Sequence, residues 1–151
     1  QLLLEFNKPL KGKVDYIVIN KNERELLVFN KNNKLLKKYN IALGFEHRGK
    51  KEVQGDGKTP EGTYYINDKN PHSIAYKNLG ISYPNSKDNS NSRGKPTGRD
   101  IKIHGLMNNL WFIGNLHQLK DWTNGCIAVN NSEMEELFHA VRIGAKIEIK
   151  P

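Results

Sequence analysis

Short runs of β-branched and aromatic residues, broken every few positions by Asn, Lys and Gly, most narrow what this chain can fold into. Val14-Asp15-Tyr16-Ile17-Val18-Ile19 and Glu25-Leu26-Leu27-Val28-Phe29 are strand-like, and residues 20–24 between them carry turn chemistry, so the pair reads as a hairpin. A polar turn at 30–34 leads to a third strand over 35–43, and 63–67, 101–103 and 146–149 supply more. Strands at this spacing favour an all-β assembly over a parallel βαβ fold. One helix stands out: Ser132 and Glu135 fit a capping box, Met134, Leu137, Phe138 and Val141 follow at helical spacing, and Gly144 is expected to end it.

Three stretches interrupt the strands. Residues 44–62 are rich in Gly and Lys, and Thr59-Pro60-Glu61-Gly62 reads as a type I turn, with Asp56 expected to cap backbone rather than to catalyse. Residues 84–99 hold no apolar side chain apart from proline, which reads as a mobile surface loop of the kind that covers a cleft. Residues 105–120 combine Met107, Leu110, Trp111 and Leu119 at roughly helical spacing with Gly114 and two asparagines, the pattern of a broken helix packed on the core.

At 151 residues the chain is long enough for one domain with one core, read as a lead-in over 1–13 and a domain over 14–151. No apolar run nears the roughly 18 residues that span a bilayer. A start at Gln1 fits a trimmed N-terminus from which a targeting segment has been removed. The net charge of +8 favours polyanionic surroundings, but the lysines are scattered and no nucleic-acid-binding motif accompanies them, so most read as a solvated surface. A single cysteine rules out an intramolecular disulfide.

That cysteine sits in Asp121-Trp122-Thr123-Asn124-Gly125-Cys126-Ile127-Ala128-Val129. Two readings are open: a small buried hydrophobe, or a nucleophile presented by a glycine turn at the mouth of a buried strand. Ile101-Lys102-Ile103-His104-Gly105 weighs toward the second, because it ends a half-buried strand on an imidazole, and a thiol needs a base or cation beside it to react near neutral pH. Of the other histidines, His47 and His139 read as solvent-facing, His117 as packed or capping, and His72 as a loop residue that is a secondary candidate for the site. No second cysteine, His-x-x-x-His pair or acidic cluster accompanies Cys126, so neither a metal nor another cofactor is expected.

His104-Gly105 followed by Thr123-Asn124-Gly125-Cys126-Ile127-Ala128 resembles the signature of the L,D-transpeptidase catalytic (YkuD) domain. Gly55-Asp56-Gly57-Lys58-Thr59-Pro60-Glu61-Gly62-Thr63-Tyr64 and Ile81-Ser82-Tyr83-Pro84-Asn85 are similar to upstream stretches of the same family, in the same order, and the variant nearest to this chain reads Asp-Trp-Thr-x-Gly-Cys-Ile-Ala. The resemblance implies a mainly β sandwich or barrel with a few short helices. It further implies a Cys126 nucleophile that attacks a diaminopimelate carbonyl in a peptidoglycan stem, His104 as base, and the Gly105 carbonyl orienting the ring. Gly125, Asn124, Thr123, Tyr83 and His72 would bind substrate or the oxyanion. The setting it implies is the periplasm or cell envelope, with roles in wall biogenesis and cell shape and with sensitivity to carbapenems. Family members with His and Arg where this chain has Asn124 and Ala128 differ in ionisable groups beside the nucleophile. Both joining and cutting enzymes share the variant, including ones that release wall-linked lipoprotein. Transfer to an amine, hydrolysis and a non-catalytic wall-binding module are therefore the three expectations carried forward.

Overall fold

The computed structural model describes residues 9–44, 46, 48–73, 76–98, 101–105 and 125–151. Among these residues, eight strands form one sheet in the order β3-β2-β1-β8-β4-β5-β6-β7, where β1 is Val14–Asn20, β2 Glu25–Phe29, β3 Leu35–Asn40, β4 Gly62–Ser73, β5 Tyr76–Ile81, β6 Lys102–His104, β7 Ile127–Ala128 and β8 Val141–Lys150. The fold is mainly β, as expected, with helices α1 (Ser86–Asn91) and α2 (Asn131–Ala140) among the described residues.

The hairpin forms as its sequence predicts: Ile17 pairs with Val28 and Ile19 with Leu26, antiparallel, and all four are fully buried. β1 also pairs with β8, in parallel, so Ile17, Val18 and Ile19 are buried in succession instead of alternating. β4 joins the two halves of the sheet, since Gly62 to Tyr65 pair with β8 and Ile66 to Ser73 with β5. Past β3, Ala42 forms an isolated bridge with Ala128 through two N–H···O bonds of 2.9 Å, which brings the chain beyond one edge strand to the other edge. That closure carries β7 to the core.

Several local expectations are corrected. α2 is capped by Asn130, in a capping box with Glu133, and it stops at Ala140 rather than at Gly144. Gly144 instead lies inside β8 at φ +95°, where the register with β1 slips between Val14 and Tyr16. The turn expected at 59–62 forms at Val53–Asp56: the Thr59 carbonyl accepts from Lys21 Nζ at 2.8 Å, and Gly62 is already paired with Ile149. The segment after Pro84 is anchored. It holds α1, capped by Asn85, and Asp88 accepts from the Tyr64 hydroxyl at 2.7 Å while the Thr97 carbonyl accepts from the Tyr83 hydroxyl at 2.8 Å. The broken helix expected over 105–120 lies, apart from Gly105, outside the described residues, as do His47 and His117.

Not every lysine is solvated. Lys21 is 1% exposed and donates to the Gly49 and Thr59 carbonyls and to Glu61, pinning the 44–62 segment to the end of β1. Burial lowers its pKa, and Glu61 opposes that shift. Lys37 and Lys51 are also buried, against Glu136 and Asp56. His139 is exposed, as expected, and meets Glu135 one helical turn away.

Candidate active site

β6 and β7 run side by side in parallel, Ile103 opposite Ile127 and His104 opposite Ala128. Both isoleucines are fully buried, and their register fixes which face each neighbour takes. Lys102 and His104 lie on the face opposite Ile103. Extending the register one residue back sets Cys126 beside Lys102, on that same face. That continuation of the register sets Cys126 diagonal to His104, about 8 Å away from one strand and two residues' rise, with both side chains on one side of the sheet. The Val129 N–H donates to the His104 carbonyl at 3.0 Å, which locks the two chain segments together.

The ring is fixed by its own chain. His104 Nδ1 donates to the Gly105 carbonyl at 2.6 Å, and the Gly105 N–H donates to the Lys77 carbonyl. A carbonyl only accepts, so Nδ1 carries the proton and Nε2 of the neutral ring holds the lone pair. Burial lowers the His104 pKa below the usual histidine value; the Gly105 bond works against that, and the Lys102 charge adds to it. The neutral ring therefore persists into mildly acidic solution. The acidic limb of kcat/KM is expected below pH 6.5, the ordinary histidine midpoint, and a limb above that value in a pH–rate profile would contradict it.

Cys126 is neither sealed in nor on an open surface; it is of intermediate exposure. Gly125 before it has φ +120°, and a Cβ there would lie 2.7 Å from the Lys58 carbonyl oxygen and 3.1 Å from Ile101 Cδ1. Only glycine fits that turn. The 44–62 segment is its backing: Thr59 Oγ1 accepts from the Gly44 N–H at 3.0 Å, and Asp56 accepts from the backbone of Glu52, Val53 and Lys58. Burial pushes the Asp56 carboxyl up, but these N–H donors and Lys51 outweigh it and hold the group below the usual carboxylate range. Asp56 is a turn cap, as its sequence context suggests.

A cavity of about 540 Å³ opens beside β6, lined by Asp68, Gly80, Tyr83 and Lys102 among others. Tyr83 is 5% exposed, and its hydroxyl is committed to Thr97, so it shapes the cavity edge and steadies the 84–98 segment. Thr123 and Asn124 lie outside the described residues, as does the side chain of His72 within β4. The sequence reading missed Lys102 and Asn78. Asn78 pairs with His104 across β5 and β6, is 2% exposed, and its Oδ1 has no hydrogen-bond partner. Lys102 lies in the strand that the 101–103 alternation predicts, whereas Asn78 needed β5 to be recognised. No cluster of three or more metal-ligating side chains is assembled among the described residues.

The family model of the L,D-transpeptidase catalytic domain matches residues 14–149. The chain is 32% identical over 142 residues to "Putative L,D-transpeptidase YafK" of Escherichia coli K12, covering 91% of this chain and 51% of that protein. It is 30% identical over 146 residues to "Putative L,D-transpeptidase YqjB" of Bacillus subtilis, covering 93% and 73%. Among solved structures, the helical cell shape determining protein Pgp2 from Campylobacter jejuni superposes with a TM-score of 0.72 at 28% identity, over 97% of this chain and 51% of that one. The chain thus spans about half the length of YafK and of the Pgp2 structure. With the family's model matched across nearly all of the strand order described above, this chain belongs to the L,D-transpeptidase catalytic domain family.

Proposed function

We propose that the domain is a cysteine acyltransferase of the bacterial cell envelope that acts on peptidoglycan stem peptides, in the branch of the family marked by Asp-Trp-Thr-x-Gly-Cys-Ile-Ala. The observation that carries this reading is the shared face of His104 and Cys126, with the imidazole turned by the Gly105 carbonyl so that Nε2 holds the lone pair. Nε2 takes the thiol proton, and Sγ attacks the diaminopimelate carbonyl carbon. Backbone N–H groups at the Gly125 turn stabilise the oxyanion. On collapse the C–N bond to the terminal amino acid breaks, His104 returns the proton to the departing amine, and a thioester remains on Cys126. An acceptor amine from a second stem then attacks the thioester, giving up its proton to His104, and the thiol is regenerated.

Purified muropeptides incubated with the protein and read by mass spectrometry test this. Cross-linked dimers are expected. A shortened monomer alone would replace the acceptor amine by water, and action only on lipoprotein-bearing wall would make the domain an amidase. A protein that converts none of these substrates and gains no covalent mass from a carbapenem would be a binding module instead, and the acyl-enzyme reading would fail.

A further inference from the structure

We propose that Lys102 and Asp68, on either side of Gly80 in one cavity, bind the zwitterionic end of the donor's diamino-acid side chain and so select which stem is accepted. Lys102 takes its carboxylate and Asp68 its ammonium. This rests on the acyl-enzyme reading above and adds to it the residues that discriminate between stems.

The sheet aligns these positions in one row. Asp68 pairs with Gly80 across β4 and β5, Gly80 with Lys102 across β5 and β6, and the β6–β7 register continues the row to Cys126. All four therefore belong to one face, and the first three line one cavity. At about 4.8 Å per strand, Lys102 lies one step from the nucleophile and Asp68 three steps away. In a seven-carbon diamino diacid, five carbon–carbon bonds separate the reacting carbonyl from the far amino-acid carbon, a reach of about 6 Å. A donor acylated on Cys126 and extended along the row would set that carbon between Lys102 and Gly80, with its two charged groups free to turn toward opposite walls.

Gly80 lets β4 pack close at this end of the cavity. A Cβ there would lie 2.7 Å from Asn67 Oδ1 and 3.1 Å from Asp68 Cβ, because β4 crowds over this point. The charges themselves are uncommitted. Lys21, Lys37, Lys51 and Lys77, each at least partly buried, all hold a carboxylate, whereas partly buried Lys102 and exposed Asp68 have no ion-pair partner among the described residues. Opposite charges held apart across a polar cavity suit a ligand that carries both.

The test compares kcat/KM on tetrapeptide donors that differ only at the third residue: diaminopimelate, its side-chain carboxamide, and lysine, which keeps the ammonium but lacks the carboxylate. Wild type is expected to favour diaminopimelate over the other two by about tenfold. Lys102→Met should bring that ratio close to one. Asp68→Asn should slow all three donors several-fold, since each retains the ammonium. Every donor uses the same imidazole, so any effect of Lys102 on the His104 pKa cancels in the ratio. Thermal midpoints near that of wild type would show that both variants fold. An unchanged ratio in Lys102→Met, or a wild type indifferent to the carboxylate, would overturn the inference while leaving acyl transfer intact. Wild type inert on every donor would remove the acyl-enzyme reading and this inference with it.

Discussion

Cys126→Ala is expected to lower turnover on muropeptide donors by at least about 10⁴-fold while the protein keeps its fold. The change removes one partly exposed sulfur, and the backbone bonds that hold the segment, Ala42 with Ala128 and Val129 with His104, do not involve it. Thermal unfolding should therefore shift by no more than a few degrees. His104→Ala should be nearly as severe, because the thiol then loses its proton acceptor. The double variant should be little worse than either single change, as expected when two groups act as one unit. Intact-protein mass spectrometry adds a second measurement: wild type trapped with donor should carry the acyl mass, and Cys126→Ala should carry none. Substantial turnover remaining in Cys126→Ala would place the nucleophile elsewhere and undo the mechanism.

How far the residues themselves announced this arrangement depends on what each signal was made of. The β1–β2 hairpin was legible because apolar alternation and turn residues agree. β5 was not: Tyr-Lys-Asn-Leu-Gly-Ile mixes a charge, an amide and a glycine into a strand that is buried only once its neighbours assemble. Losing β5 hid the row that joins Asp68 to Lys102, so the cavity was invisible at that level. His72, expected in a loop, lies within β4 next to Pro71, because a strand tolerates proline where no ladder donor is needed. α1 was masked by a composition without apolar side chains; what anchors it is polar, through Tyr64 to Asp88. The buried lysines were misread for the same reason, since a charge run looks solvated until its carboxylate and carbonyl partners, distant in sequence, are brought together. His104 and Cys126 were legible as chemistry, but their diagonal relation follows from a parallel strand pairing that spacing alone does not encode.

The glycines behind Cys126 give the second large effect. Gly44→Ala is expected to destabilise the fold by about 2–4 kcal/mol, and to cut activity at least tenfold in the molecules that remain folded. A Cβ at position 44 would run into the Gly57 carbonyl oxygen and would also sit 3.1 Å from Gly125 Cα, so three glycines meet where the 44–62 segment crosses the Gly125 turn. Neither neighbour can yield cheaply. Gly57 O already accepts from the Glu46 N–H at 3.0 Å, and the Gly44 N–H is held by Thr59 Oγ1. Relief must come from moving Gly57 or Gly125, and Gly125 carries Cys126. Gly94→Ala serves as the comparison: its φ is +85°, but nothing lies within 4 Å of the added methyl, so the cost should stay near 1 kcal/mol with turnover unchanged. Urea midpoints and single-substrate rates for the two variants would separate steric crowding at the turn from a general penalty on glycine replacement. Equal destabilisation by both, or full activity in Gly44→Ala, would show that this crossing does not set the position of the sulfur.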